Sequence, residues 1–370
     1  DADVYIYDEP SSYLDVKQRM AAGRLIKGLV QENEERSVLV VEHDLAILDF
    51  ITDVVQVMYG QQTAYGIMAL PRGSRTAINA YLQGFLPEEN MRIRDESIEF
   101  TVHPPRDTLD RAVLCEYGHL EKTYDDGGFH FGTDGGQIRS GEVVGVLGPN
   151  GIGKTTLVKM LAGTEEPTVG EVDLDIQVAY KPQYIKADFD GTVQGLFYQA
   201  MGADFENSFY QHEVARPFQL EPLLSSDVAD LSGGELQRVA TALCLGREAD
   251  LYLLDEPSAF LDVTQRMKAA KALRRVMEKK GASALVVDHD VYFIDLVCDS
   301  LMVFDGEPGK RGESHGPMDM RAGMNRFLEQ VDITDRRDKV STRPRVNTPG
   351  CTRAREPTTT GVYPYAPTAG

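Results

Sequence analysis

Two stretches of this 370-residue chain are nearly the same: DEPSSYLDVKQRM at 8–20 and DEPSAFLDVTQRM at 255–267 agree at ten of thirteen positions. Self-similarity over so long a separation means a duplicated domain, and it limits the available folds more than any other feature. The flanks repeat as well. An apolar run precedes each copy (VYIYDE, LYLLDE) and a β-branched run follows it (SVLVVEHD, ASALVVDHD), so His43 lies 35 residues after Asp8 and His289 34 after Asp255. Continuous apolar strands alternating with helices predict a parallel sheet covered on both faces.

Length allows two or three domains and a sizeable core. Hydrophobic residues are 42% and charged residues 26% of the chain, and no apolar run approaches the ~20 residues of a membrane span. A net charge of −20 excludes a protein that coats nucleic acid over its whole surface. Local basic patches are left for any RNA contact: Arg92 with Arg94, or the run Arg336, Arg337, Lys339, Arg343 and Arg345. Cys115, Cys244, Cys298 and Cys351 stand 129, 54 and 53 positions apart. None forms the close pairs of zinc or iron–sulfur sites, and they are read as thiols in a reducing cytosol. The chain lacks an initiating Met and starts just before the strand VYIY, so it is expected to begin part-way through a longer protein.

Residues 1–81 form the first copy. Residues 82–112, rich in charge and Pro, predict a linker or hinge. The second copy runs over 113–305 with a charged insertion near 186–230. A segment rich in Gly, Pro and Arg follows over 306–350, and 351–370 is expected to be a disordered tail.

Chemistry concentrates in the second copy. VVGVLGPNGIGKTTLVKMLAG satisfies G-x-x-x-x-G-K-[ST] with Gly148, Gly153, Lys154 and Thr155, between an apolar strand and a helix. Backbone N–H groups around Asn150, Gly151 and Gly153, with the helix N-terminus at Lys154, Thr155 and Thr156, suit phosphate oxygens. Lys154 would hold the β- and γ-phosphates and Thr155 would ligate Mg²⁺. LYLLDEP ends a buried strand with two carboxylates: Asp255 is placed to reach Mg²⁺ and Glu256 to polarise the attacking water. His289, at the end of the next strand, would sense the γ-phosphate. Asp8, Glu9 and His43 are the matching metal-site, catalytic and switch residues of the first copy. In LSGGELQ, Ser232 caps a helix whose first amides, at Gly233, Gly234 and Glu235, form an anion site.

LSGGE upstream of DEP-S-x-x-LD resembles the signature of ABC ATPases. The resemblance implies that Gln183, in AYKPQ, touches Mg²⁺ and water, and that Ser258–Asp262 form the D-loop. It also implies that an aromatic ring, Tyr117 or Tyr124, stacks on adenine. AYLQGFLPEENMRIR, the doubled DEPS-x-x-LDV-x-QRM, MVFDGEPGKRGESHGPMDMRAGMNRFLE and RPRVNTPG are similar to the ribosome-recycling ATPases of the E subfamily, the RNase L inhibitor proteins. The fold this implies is α/β, a P-loop NTPase with tandem ABC-type nucleotide-binding domains, the first one partial, joined by a hinge. The implied activity is ATP hydrolysis in the cytoplasm, opening and closing two head-to-tail cassettes to split ribosomal subunits. The implied partners are the small subunit with its rRNA and a release-factor-type protein. The family's N-terminal domain with two [4Fe–4S] clusters has no cysteines for it in this chain. The ATPase subunit of a transporter and a non-catalytic ribosome-binding module are the rival readings.

No P-loop and no second LSGGE occur in residues 1–147. The second copy carries them 107 and 24 positions before its Asp255, spacings that fall before residue 1 when counted back from Asp8. Neither composite site is expected to close within one molecule without the missing N-terminal half of the same protein.

Overall fold

The computed structural model describes residues 2–12, 14–33, 35–61, 65–95, 97–98, 110–124, 128–183, 187–331, 335–337 and 344–346. They belong to two compact units, Asp1–His103 with Leu328–Gly370, and Pro104–Phe327. Among the described residues no helix is long and apolar enough to cross a membrane.

In the first unit β1 (Val4–Asp8) and β2 (Ser37–Val41) pair in parallel through the crossover helix α1 (Val16–Glu32). Asp15 starts that helix, accepting the Gln18 N–H at 2.8 Å while the Gln18 side chain accepts the Asp15 N–H at 3.2 Å. This reciprocal cap satisfies donors that a helix start leaves bare. Helix α2 (Leu45–Ile51) packs on α1, with Ile51 and Phe50 against Gly23. Then come β3 (Val54–Val55), the hairpin β4 (Met58–Gln61) and β5 (Tyr65–Met68), β6 (Arg72–Gly73), α3 (Ser74–Gln83), and the hairpin β7 (Phe85–Leu86) and β8 (Met91–Arg92).

The stretch read as a linker from residue 82 therefore starts as folded structure. Leu82 and Leu86 are buried, Ile98 donates its N–H to the Leu82 carbonyl, and the division between units falls only after His103. Charge in this segment misled because it is spent locally. Arg94 donates to the carbonyls of Tyr81 and Leu82 at 2.5 and 2.9 Å and lies 5.2 Å over the Tyr81 ring, and Arg92 donates to the Asp95 carbonyl at 3.4 Å.

The second unit opens with β9 (Val113–Tyr117), β10 (Leu120–Thr123), β11 (His130–Thr133) and β12 (Gly136–Arg139). Then follow β13 (Val143–Leu147), α4 (Lys154–Leu161), β14 (Val178–Lys181), α5 (Val193–Met201) and α6 (Ser208–Tyr210). After them come α7 (Gly233–Gly246), β15 (Leu251–Asp255), α8 (Val263–Lys280), β16 (Ser283–Val287) and α9 (Val291–Val297). The unit closes with β17 (Ser300–Glu307), β18 (Arg311–Asp319) and α10 (Met320–Gln330), whose last residues pass into the first unit. Among the described residues eight strands form one sheet in the order β10-β11-β18-β17-β13-β16-β15-β14, with β14, β15, β16, β13 and β17 parallel. Every residue of β13, β15 and β16 is buried, as a sheet covered on both faces requires.

The sheet continues past residue 305, because β17 turns back on itself and pairs antiparallel with β18. The segment read as a C-terminal hinge from 306 thus begins inside the second unit, which extends to Phe327. The insertion at 186–230 carries several short helical segments where described. Phe197, Phe205 and Tyr210 pack ring against ring there, with centroids 5.1 to 6.1 Å apart. Arg336 and Arg337 lie in β19 (Asp335–Arg337) and Arg345 in β20 (Pro344–Val346), which pair antiparallel. Lys339, Arg343, Cys351 and the tail 351–370 lie outside the described residues.

Candidate active site

Strand β13 delivers the chain to the loop Gly148–Gly153, and α4 leaves it at Lys154. Gly153 caps α4 in left-handed backbone at φ 97° with no side-chain cap. A Cβ there would lie 2.7 Å from the Phe131 ring, so both conformation and contact require glycine. The first amides of α4 are thereby left for an anion. Lys154 is buried, and its ammonium donates to the carbonyls of Gly148 and Pro149 at 2.9 and 2.6 Å. Tyr124 reaches this helix start, its hydroxyl 3.4 Å from Thr156 Oγ1. Tyr117 does not: it is buried in the core with its hydroxyl 3.9 Å from the Met302 sulfur, and its candidacy for an exposed stacking role ends there.

Asp255 closes β15 under α4. It is buried, among the described residues neither carboxylate oxygen has a partner at normal hydrogen-bond geometry, and burial pushes its pKa up to about 6. The nearby Thr155 hydroxyl and the Lys181 and Lys154 ammonium groups pull it back. An unpaired buried carboxylate is costly unless a cation completes it. Two bare oxygens beside a threonine hydroxyl at a phosphate loop are the donor set that Mg²⁺ takes with a nucleotide. Among the described residues no three His, Cys, Asp or Glu side chains could hold a metal by themselves, so phosphate and water would supply its other ligands.

Glu256 follows in left-handed backbone at φ 50°. Its Oε1 accepts from Gln183 Nε2 at 2.7 Å and lies 3.3 Å from His289 Nε2. Burial would raise this carboxyl, but His289, the Gln183 amide and the Lys154 charge overcome it and hold the pKa below the ordinary value. Burial lowers the His289 imidazole, against the pull of Glu256. The shifts favour the charged form of the glutamate and the uncharged form of the imidazole beside it, an arrangement suited to orient and polarise water. Gln183, expected on the metal, donates to the glutamate here.

Three partners of this cluster were not foreseen. Lys181, buried in β14, donates to the carbonyls of Asp255 and Glu256 at 2.6 and 3.0 Å, and burial lowers its pKa to about 8. Gln237, on α7, donates to the Glu256 carbonyl. Asp288 accepts the Ser258 N–H and hydroxyl at 3.0 and 2.7 Å, tying the D-loop to the turn after β16 that carries His289. A lysine inside the apolar run VAYK was the one signal the sequence offered for any of them.

The signature is built on α7. Ser232 accepts the Glu235 N–H at 3.4 Å, and the Glu235 carboxylate accepts the Ser232 N–H and hydroxyl at 2.9 and 2.6 Å. Ser232 and Gly233 are exposed, so this helix start points outward, away from the buried end where Gln237 meets Glu256. The D-loop lies against it: a Cβ on Gly234 would come 2.7 Å from the Phe260 carbonyl oxygen. In the first unit Glu9 and His43 stand 3.3 Å apart in the same arrangement, while Asp8 is exposed.

Residues 134–259 match the family model described as ABC transporter. Translation initiation factor RLI1 of Saccharomyces cerevisiae is 39% identical over 373 residues, which cover 100% of this chain and 61% of the yeast protein. The solved structure of an RNase-L Inhibitor is 51% identical with a TM-score of 0.92, over 99% of this chain and 70% of that one. A structure of ribosome-bound archaeal Pelota and ABCE1 matches at 52% identity and a TM-score of 0.93, over 99% of this chain and 61% of that one. The chain spans 56–61% of the length of three curated relatives that match it over 94–100% of its own length.

Proposed function

Because the chain belongs to the RNase L inhibitor family, the E family of ABC ATPases, we propose that it is part of an ATP-driven ribosome recycling factor. The observation that carries the reading is the convergence of Gln183 and His289 on one oxygen of Glu256, next to the bare carboxylate of Asp255 and the phosphate loop. Gly148, Asn150, Gly151, Gly153, Lys154, Thr155 and Thr156 would bind the triphosphate, and Tyr124 would stack on the adenine. Mg²⁺ carried in with ATP would be held by Thr155 and Asp255, neutralising phosphate charge. Glu256 orients the attacking water and takes up its proton, while His289 and Gln183 fix the carboxylate. Asp8, Glu9 and His43 would take the same roles in the first cassette once the rest of that cassette covers them.

Ser232, Gly233, Gly234 and Glu235 present an anion site on the outside of the second unit, fit for a γ-phosphate held by an opposing cassette. Closure on ATP and reopening after hydrolysis would turn phosphate chemistry into domain movement, with the ribosomal subunits as the load and a Pelota-like release factor beside them, in the cytoplasm. The test is ribosome splitting by the longer protein that contains this sequence. We expect Mg²⁺ with ATP to drive small subunits into a separate sedimentation peak, with Glu256→Gln trapping the protein on them. ATP-independent splitting, or splitting undiminished by Lys154→Ala, would overturn the reading.

A further inference from the structure

Lys181 is 1% exposed, and among the described residues no carboxylate lies within ion-pair distance of its ammonium. A lysine buried without a paired carboxylate is rare, because desolvation disfavours its charge. Its two acceptors are the main-chain oxygens of Asp255 and Glu256, at 2.6 and 3.0 Å. The Glu256 oxygen also accepts from Gln237. One side chain from the edge strand β14 and one from the signature helix α7 thus converge on the peptide that carries the hydrolytic glutamate. Glu256 needs such an anchor, since its φ of 50° is a conformation that non-glycine residues hold only when the surroundings impose it. Two residues beyond Lys181 the same segment supplies Gln183 to the Glu256 carboxylate, so this strand end grips the residue by both its main chain and its side chain.

We propose that Lys181 is a positioning residue for hydrolysis, fixing the Asp255–Glu256 main chain so that the Glu256 carboxylate meets Gln183 and His289. The proposal rests on the ATPase reading above. A side chain acting in this way lowers the barrier to reaction without binding ATP, because positional error at the base costs rate more than affinity.

The test compares Lys181→Arg, Lys181→Gln and Lys181→Met in the longer protein, with Glu256→Gln as reference. We expect kcat to fall in the order Arg, Gln, Met, reaching a loss of about tenfold or more for Met, while KM for ATP stays within about twofold. The thermal unfolding midpoint reports which variants are folded, and any two folded members decide the matter through their ratio of kcat values. Equal kcat among folded variants, or a loss of kcat matched by a rise in KM, overturns the proposal. If Glu256→Gln hydrolyses ATP at the unsubstituted rate, the ATPase assignment of this site has failed. If it is slow while Lys181→Met is fast, only the role of Lys181 has.

Discussion

Glu9 and Glu256 occupy the same turn in the two copies of the repeat, with φ of 45° and 50° and their N–H groups on the carbonyls of Val41 and Val287, both at 2.8 Å. Each has its histidine 3.3 Å away. Below the turn, Arg19 pairs with Asp44 at 2.8 Å and Arg266 with Asp290 at 3.1 Å, each arginine also donating to a carbonyl five residues back. Their surroundings differ. The Glu9 and His43 side chains are 47% and 48% exposed, against 21% and 11% for Glu256 and His289. On the supporting strands Leu39 is 55% exposed while its counterpart Leu285 is fully buried. The turn is encoded by its own dozen residues and forms in both places. The burial that surrounds Glu256 comes from the neighbouring strands β13 and β14 with their helices, which only the second unit has among the described residues.

The largest expected effect probes the chemistry that this difference implies. Glu256→Gln keeps the shape of the cluster but removes the base, and ATP hydrolysis at this site should slow by about 10²–10⁴-fold with nucleotide binding retained, as a single-turnover assay measures. Next comes burial itself. Leu285→Ala, in the closed sheet, should cost ~2–5 kcal/mol of stability, read from the denaturation midpoint of the second unit. Lys154→Ala removes a charged phosphate contact and should weaken ATP by ~1.5–3 kcal/mol, a drop visible by calorimetry.

A smaller effect follows from Asp255. Its carboxyl must be deprotonated to take a cation, and with a pKa of about 6 Mg²⁺-dependent nucleotide affinity should hold above that pH and fall about tenfold per unit below it. An affinity flat from pH 7 to 5 would remove Asp255 from the metal site. Smallest is Leu39→Ala, which should change stability by less than ~0.5 kcal/mol. An effect as large as that of Leu285→Ala would mean that β2 is covered in solution, and the contrast between the copies would narrow.

Motifs whose residues act through local geometry were legible in the sequence. The patterns G-x-x-x-x-G-K-[ST], DEP and LSGGE and the repeat all depend on spacing within short segments, and the structure brings Thr155, Asp255, Glu256, Gln183 and His289 to one place. What depends on tertiary burial was not legible. Tyr117 follows the apolar run AVLC and falls in step with buried Cys115 on β9, whereas Tyr124 stands in the polar stretch EKTYDDG, so only a weak period-two alternation separates the residue that turns into the core from the one that stays at the loop. Arg94 read as a free charge, although its donors go to carbonyls at the end of α3. The partners of Gln237 and Asp288 lie 19 and 30 residues away, separations at which no periodicity survives. Residues 306–319 looked irregular because β17 and β18 carry Gly, Pro and charge on an antiparallel extension that is only partly covered.

Gly234 has been treated as part of an anion site, but its missing side chain also has a mechanical meaning. With the Phe260 carbonyl oxygen only 2.7 Å from where a Cβ would stand, the start of the signature helix and the D-loop are seated too closely to slide past each other. Phe260 itself is in left-handed backbone at φ 60°, so that seat is held under tension. The D-loop is tied in turn, through the hydrogen bonds of Ser258 to Asp288, to the turn that follows β16 and carries His289. The glycine acts as a bearing surface, and a methyl group placed there would work as a shim, wedging the start of the signature helix away from the D-loop.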